Sequence, residues 1–142
     1  MSKKICLVLA MAFLVAFFSG CGSGSSSSNP PTDPTPKDNP SFASDIQPIF
    51  SASCTLSSCH NSTAQAGLNL SSGQAFANIV NVACTSEPPK LRVKPADPAN
   101  SYIVIKLEGR QTAGAKMPLA GSISGTDLQN IKNWITKGAG NN

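Results

Sequence analysis

Seven residues near the middle of the chain, Cys54-Thr55-Leu56-Ser57-Ser58-Cys59-His60, limit the folds open to it more than any other feature. Two thiols followed at once by an imidazole are the parts needed to hold a haem covalently and to ligate its iron. The general form is C-x-x-C-H, and here two further residues separate the cysteines. His60 is the only histidine of the chain. The two thiols add across the two vinyl groups, and the histidine follows directly so that its ring reaches the metal from the same short loop. On this reading Cys54 and Cys59 are the attachment points and His60 the proximal ligand, with the extra residues bulging from the loop.

The N-terminus reads as a processing segment and is set aside before any fold argument. Lys3 and Lys4 precede an apolar run over residues 5–18, too short and too early to make a membrane span. Phe18-Ser19-Gly20-Cys21 resembles the lipobox of a bacterial lipoprotein, with Phe18 where an aliphatic residue is usual. The resemblance implies a leader over 1–20 and a lipid on Cys21; the other reading is an ordinary cleaved signal peptide. Either way the chain is expected in an exported compartment where disulfides can form, on the periplasmic or cell-surface side of a membrane. Gly22, standing where an inner-membrane retention aspartate is common, favours the outer membrane within that same resemblance. Residues 21–40 form a Gly/Ser tether stiffened by prolines, with nothing apolar to bury.

Residues 41–142 are then one domain of about 100 residues, the usual size for one hydrophobic core. Its aromatic inventory is thin: Phe42, Phe50, Phe76, Tyr102 and Trp134. Eight Lys/Arg stand against five Asp/Glu without a clustered basic face, so nucleic acid is not an expected partner. Phe42, Ile46, Ile49 and Phe50 share one face of a helix, with Ser44 and Gln47 placed as a capping box and Pro48 tolerable in a first turn. Leu128, Ile131, Trp134 and Ile135 repeat likewise, between a cap at Ser124 and a stop at Gly138. Residues 74–80 make a shorter helical candidate. Residues 101–108 have strand propensity in Tyr-Ile-Val-Ile, yet Asn100 or Ser101 can cap and Gly109 can end a helix, which we favour. The rest is loop, rich in Pro and Gly. The expected fold class is all-α, loop-rich, and completed by a group the chain does not encode.

A second axial ligand is sought downstream of the cysteine motif. Met117 is the methionine left once the leader is removed, and it lies in Lys116-Met117-Pro118. A polar, Gly-rich surround makes core filling a poor account of it, and thioether ligation suits electron transfer. Arg92, between Lys90 and Lys94, suits a haem propionate or is a solvated charge. Trp134 is a core residue or a donor to a propionate.

Several stretches, taken in order, resemble a small class I-type cytochrome c domain of the bacterial and planctomycete type. These are residues 42–50 (FASDIQPIF) before Cys-x4-Cys-His, then Gly67-Leu68-Asn69-Leu70, residues 92–101 (RVKPADPANS), Met117-Pro118 and residues 134–139 (WITKGA). The resemblance implies an N-terminal helix crossing a C-terminal helix around one haem c, with His60 and Met117 as axial ligands. The expected function is a monomeric one-electron carrier, not an enzyme, that meets other redox proteins through transient contacts, with the membrane anchor implied by the lipobox resemblance at Cys21. Cys84 leaves an odd count of thiols in the domain. It is a free thiol, or it pairs with Cys54 and leaves the haem on Cys59 alone; a Cys54–Cys59 disulfide without haem is a third arrangement. Two rival functions stay open: a haem enzyme with an open sixth position, and a cofactor-free lipoprotein binding module.

Overall fold

The computed structural model describes residues 35–142. The leader, Cys21 and the tether up to residue 34 lie outside the described residues. Helices are the repetitive elements of the described part, which contains no strand and three isolated bridges. Four α-helices follow in order: α1 (Gln47–Ser53), α2 (Ala75–Ile79), α3 (Tyr102–Glu108) and α4 (Gly125–Thr136). None is long and apolar enough to cross a membrane.

The first helix starts earlier than its proline suggests. A widened π turn, Phe42–Ile46, leads into α1, and Ser41 rather than Ser44 is the cap, its hydroxyl accepting from the Ser44 N–H at 3.4 Å. Pro48 carries no N–H and its ring crowds the carbonyl four residues back, so a local widening just before it relieves the clash. The turn keeps Phe42, Ile46, Ile49 and Phe50 all buried, which is the face that the periodicity predicts. Phe42 is the hub: its ring lies 5.3 Å from those of Phe76 and Trp134 and 6.3 Å from that of Phe50.

At the other end, α4 has the expected limits. Ser124 accepts from the Asp127 N–H at 2.9 Å, and the chain turns at Gly138 with φ +98°. The Gly138 and Ala139 amides return to the carbonyls of Ile135 and Trp134, so the orphan acceptors of the last turn are satisfied. Ile131, Trp134 and Ile135 are fully buried and pack with the Phe42–Ile46 turn, so the two ends of the domain share one core. Each such side chain contributes about 1.5–3 kcal/mol by leaving water.

The packed region begins before residue 41. The Lys37 amide donates to Asn130 Oδ1 at 2.8 Å, Asn133 donates to the Lys37 carbonyl at 2.7 Å, and Pro40 is buried. The last residues read as tether therefore belong to the domain, because α4 offers their backbone polar side chains and a place for the proline ring. Lys37 Nζ also lies 2.6 Å from Asp45. Burial works against that carboxylate's charge, but the Lys37 and Ser41 hydrogen bonds and the Lys37 charge outweigh it and hold its pKa below the ordinary value.

Helix wins over strand at residues 102–108. Val104, Ile105 and Leu107 are buried, Ser101 occupies the N-cap position, and Gly109 ends the element at φ +79°. Ser101's hydroxyl, instead of capping, donates to the Asp97 carbonyl at 2.9 Å and accepts from the Lys94 amide at 2.9 Å. A Cβ at Gly109 would sit 3.1 Å from the Lys116 Cδ. Gly109→Ala is expected to cost about 1–2 kcal/mol, chiefly for the left-handed backbone, measurable by chemical denaturation.

Candidate functional site

The cysteine motif forms a closed loop at the end of α1. The Cys54 amide still bonds the Phe50 carbonyl at 2.8 Å, so Cys54 is anchored to the helix. The His60 amide donates back to the Cys54 carbonyl at 3.0 Å, and the Cys59 amide to Leu56 at 2.9 Å. These bonds bring the two ends of the motif together and leave Leu56, Ser57 and Ser58 as an exposed bulge, with Ser58 at φ +61°. The bulge takes up the additional spacer residues, as the spacing requires.

A cavity of about 350 Å³ opens beside this loop, within the range of small-molecule and cofactor sites. Its apolar walls include Phe50, Leu68, Leu70, Ile79, Ile103 and Ile131. Cys54, His60, Arg92 and Met117, chosen from sequence and spread over more than sixty positions, line this one space. Cys59 is not part of the wall. It is half-buried, its Sγ 3.6 Å from the Ser57 carbonyl, so the attachment assigned to it needs its side chain to turn toward the cavity.

His60 is oriented from behind. Its Nδ1 lies 3.1 Å from the Gln65 carbonyl, and as a donor there it presents Nε2 as the basic nitrogen. Ligating histidines are commonly fixed by such a backbone bond. The adjoining backbone is held too, since the Leu70 amide donates to the His60 carbonyl at 2.7 Å. Cys54 has its pKa pushed up to about 11, mainly by burial and further by the nearby Cys59. It is therefore a neutral thiol at ordinary pH in the metal-free protein.

Arg92 donates to the Asn78 carbonyl at 2.8 Å and to the Gly67 carbonyl at 3.0 Å. Neither bond neutralises it, and among the described residues it has no carboxylate partner. Lys106 is a second cation on the wall, which also carries Thr85, Ser86 and Tyr102, and a fixed arginine here suits an anionic substituent of a bound group. Trp134 is excluded from that role: its indole N–H donates to the Gly140 carbonyl at 2.8 Å, and Trp134 is not on the cavity wall. Met117 is partly buried against the main core, and its amide donates to the Lys106 carbonyl at 3.0 Å. Packing thus accounts for more of this methionine than its polar neighbours in sequence suggest.

Cys54, Cys59 and Cys84 are all free thiols, so neither disulfide arrangement is formed. Cys84 is buried on the cavity wall beside Tyr102 and Ile105. The residues that sequence reasoning passed over are Cys84's position, Lys106 and, above all, Glu87, which it left in an undifferentiated Pro-rich loop. Glu87 is buried at 8% exposure and accepts from Lys90 Nζ (3.0 Å) and from the Thr112 (2.6 Å) and Ala113 (2.9 Å) amides. No local pattern marks such a residue, because all but one of its partners lie at least fifteen positions away.

The Lys90 hydrogen bond and these amides lower the Glu87 pKa to about 2. The sign of the linkage follows: a depressed folded-state pKa adds stability that is whole above the unfolded value near ~4.3 and is lost as pH falls toward 2. Glu108, held low by Lys132 and Arg110, contributes in the same direction. Acid titration of the wild type, followed by circular dichroism, is expected to show the denaturation midpoint falling between about pH 2 and 4.5 move upward in Glu87→Gln. An unshifted midpoint would show that Glu87 carries no such linkage.

No protein-family model, curated protein or solved structure matches this chain.

Proposed function

We propose that the cavity holds one haem c and that the protein is a one-electron carrier of the cytochrome c type, with His60 and Met117 as axial ligands. The observation that carries this reading is the convergence of an imidazole, a thioether and a neutral thiol on one apolar cavity beside an unneutralised arginine. When bound, the haem supplies reversible exchange of one electron at its iron.

The chain's own residues do the rest. Cys54 and Cys59 give the two thioether links, Cys59 by rotating its side chain inward from the loop. His60 is held in one tautomer by Gln65 and offers Nε2 to the metal. Met117 offers a soft sulfur that favours the reduced state and raises the potential. Arg92 would take a propionate, and the apolar part of the wall would penalise the more charged ferric state. With the one histidine committed to the metal, there is no further imidazole for acid–base work on peroxide. A carrier accordingly fits better than an enzyme.

The same reading places the protein outside the cytoplasm, tethered through Cys21 as a lipoprotein, and gives it other redox proteins as transient partners. The test is haem staining after denaturing electrophoresis of the full chain, exported by cells with c-type maturation machinery. Wild type is expected to stain. Cys54→Ala and Cys59→Ala should each keep one link and move the pyridine haemochrome band toward the single-vinyl position, and the double variant should lose the stain entirely. A colourless wild type that is fully folded would falsify the proposal.

A further inference from the structure

The Met117 loop is gripped from two sides by side chains that belong to neither ligand. Glu87 Oε1 accepts the Thr112 and Ala113 amides at 2.6 and 2.9 Å. Lys106 Nζ, on α3, donates to the Ala113 and Ala115 carbonyls at 3.0 and 2.7 Å. The Tyr102 hydroxyl lies between, 3.3 Å from Glu87 Oε1 and 3.4 Å from the Ala113 carbonyl. The Lys106 carbonyl then receives the Met117 amide itself. Residues 112–117 contain no helix or bridge, so these contacts stand where secondary structure would otherwise fix the backbone.

We propose that Glu87 and Lys106 are positioning residues for Met117, holding residues 112–117 at the cavity so that the methionine sulfur is presented to the iron. This inference rests on the haem reading above. A loop with five polar anchors has little freedom to withdraw its thioether, and removal of the carboxylate frees two amides at once. A Lys106 variant attacks the same loop from the carbonyl side and leaves Glu87 in place.

The experiment uses the full chain as Glu87→Ala, Glu87→Gln and Lys106→Leu, with two independent readouts. Amide hydrogen exchange reports the grip directly, with or without haem. In Glu87→Ala, exchange at Thr112 and Ala113 is expected to accelerate roughly tenfold to a hundredfold, the range for hydrogen bonds to a charged acceptor. Exchange within α4 should stay unchanged, which separates a freed loop from a failure to fold. The iron–methionine charge-transfer band reports the consequence: it should weaken or vanish in Glu87→Ala and in Lys106→Leu while the covalent haem is retained. Glu87→Gln keeps an acceptor oxygen and should restore part of both signals. Unchanged exchange at Thr112 and Ala113 overturns the grip, and faster exchange with an intact band overturns the link to Met117. A colourless wild type instead overturns the haem reading and the ligand role with it, and this outcome is distinct from either of those.

Discussion

On the haem reading proposed above, Met117→Leu is expected to keep the covalent haem and most of the stability while losing methionine ligation. Leucine has nearly the volume of methionine, so the contact with the core survives at a cost below about 1.5 kcal/mol. What leucine lacks is the sulfur. The charge-transfer band should disappear and added imidazole should bind at the vacated position. The reduction potential should fall on the order of 0.1–0.3 V, part of the roughly 0.8 V range that axial ligands command. Spectrophotometric redox titration checks this, and an unchanged potential would return Met117 to a purely packing role. The substitution is informative because leucine preserves the observed packing of this residue and removes only its proposed ligand role.

Trp134→Ala is expected to destabilise the domain by about 3–5 kcal/mol, the range for emptying the site of a large buried aromatic. Against a typical total of roughly 5–15 kcal/mol this leaves a fragile protein. Trp134 is 1% exposed and packs at 5.3 Å from the Phe42 ring, so the void would open where the two ends of the chain meet. Trp134→Phe should cost less, about 1–3 kcal/mol, since it refills much of the volume and the exposed Gly140 carbonyl can turn to water. On the haem reading proposed above, neither variant should change the haem spectrum of the folded fraction, because Trp134 bonds Gly140 and is not on the cavity wall. Urea denaturation gives the first quantity and absorbance the second.

The terminal helices were legible because each writes its buried face locally. Ile46, Phe50, Ile131 and Ile135 recur at helical spacing, and Ser124 and Gly138 mark limits through chemistry that acts within a few residues. The motif was legible for the same reason, since Cys54, Cys59 and His60 lie in a single loop. Helix over strand at residues 102–108 was a closer choice, decided by burial of Val104, Ile105 and Leu107 over the β-propensity of the Tyr-Ile-Val-Ile run. The π turn before Pro48 was not foreseeable in register, because the proline forbids one hydrogen bond without saying which neighbour widens to avoid it.

From sequence alone came the all-α class, the helices that close the domain, and a set of donors suited to one cofactor. These depend on contacts within a turn or two of backbone, where order along the chain is order in space. Only the tertiary structure decided that Cys54, His60, Arg92 and Met117 face one cavity while Cys59 points elsewhere, that Trp134 bonds Gly140, and that Glu87 reaches the Met117 loop. Those contacts join distant segments or depend on a single side-chain rotation, and neither leaves a periodic mark on the residues between.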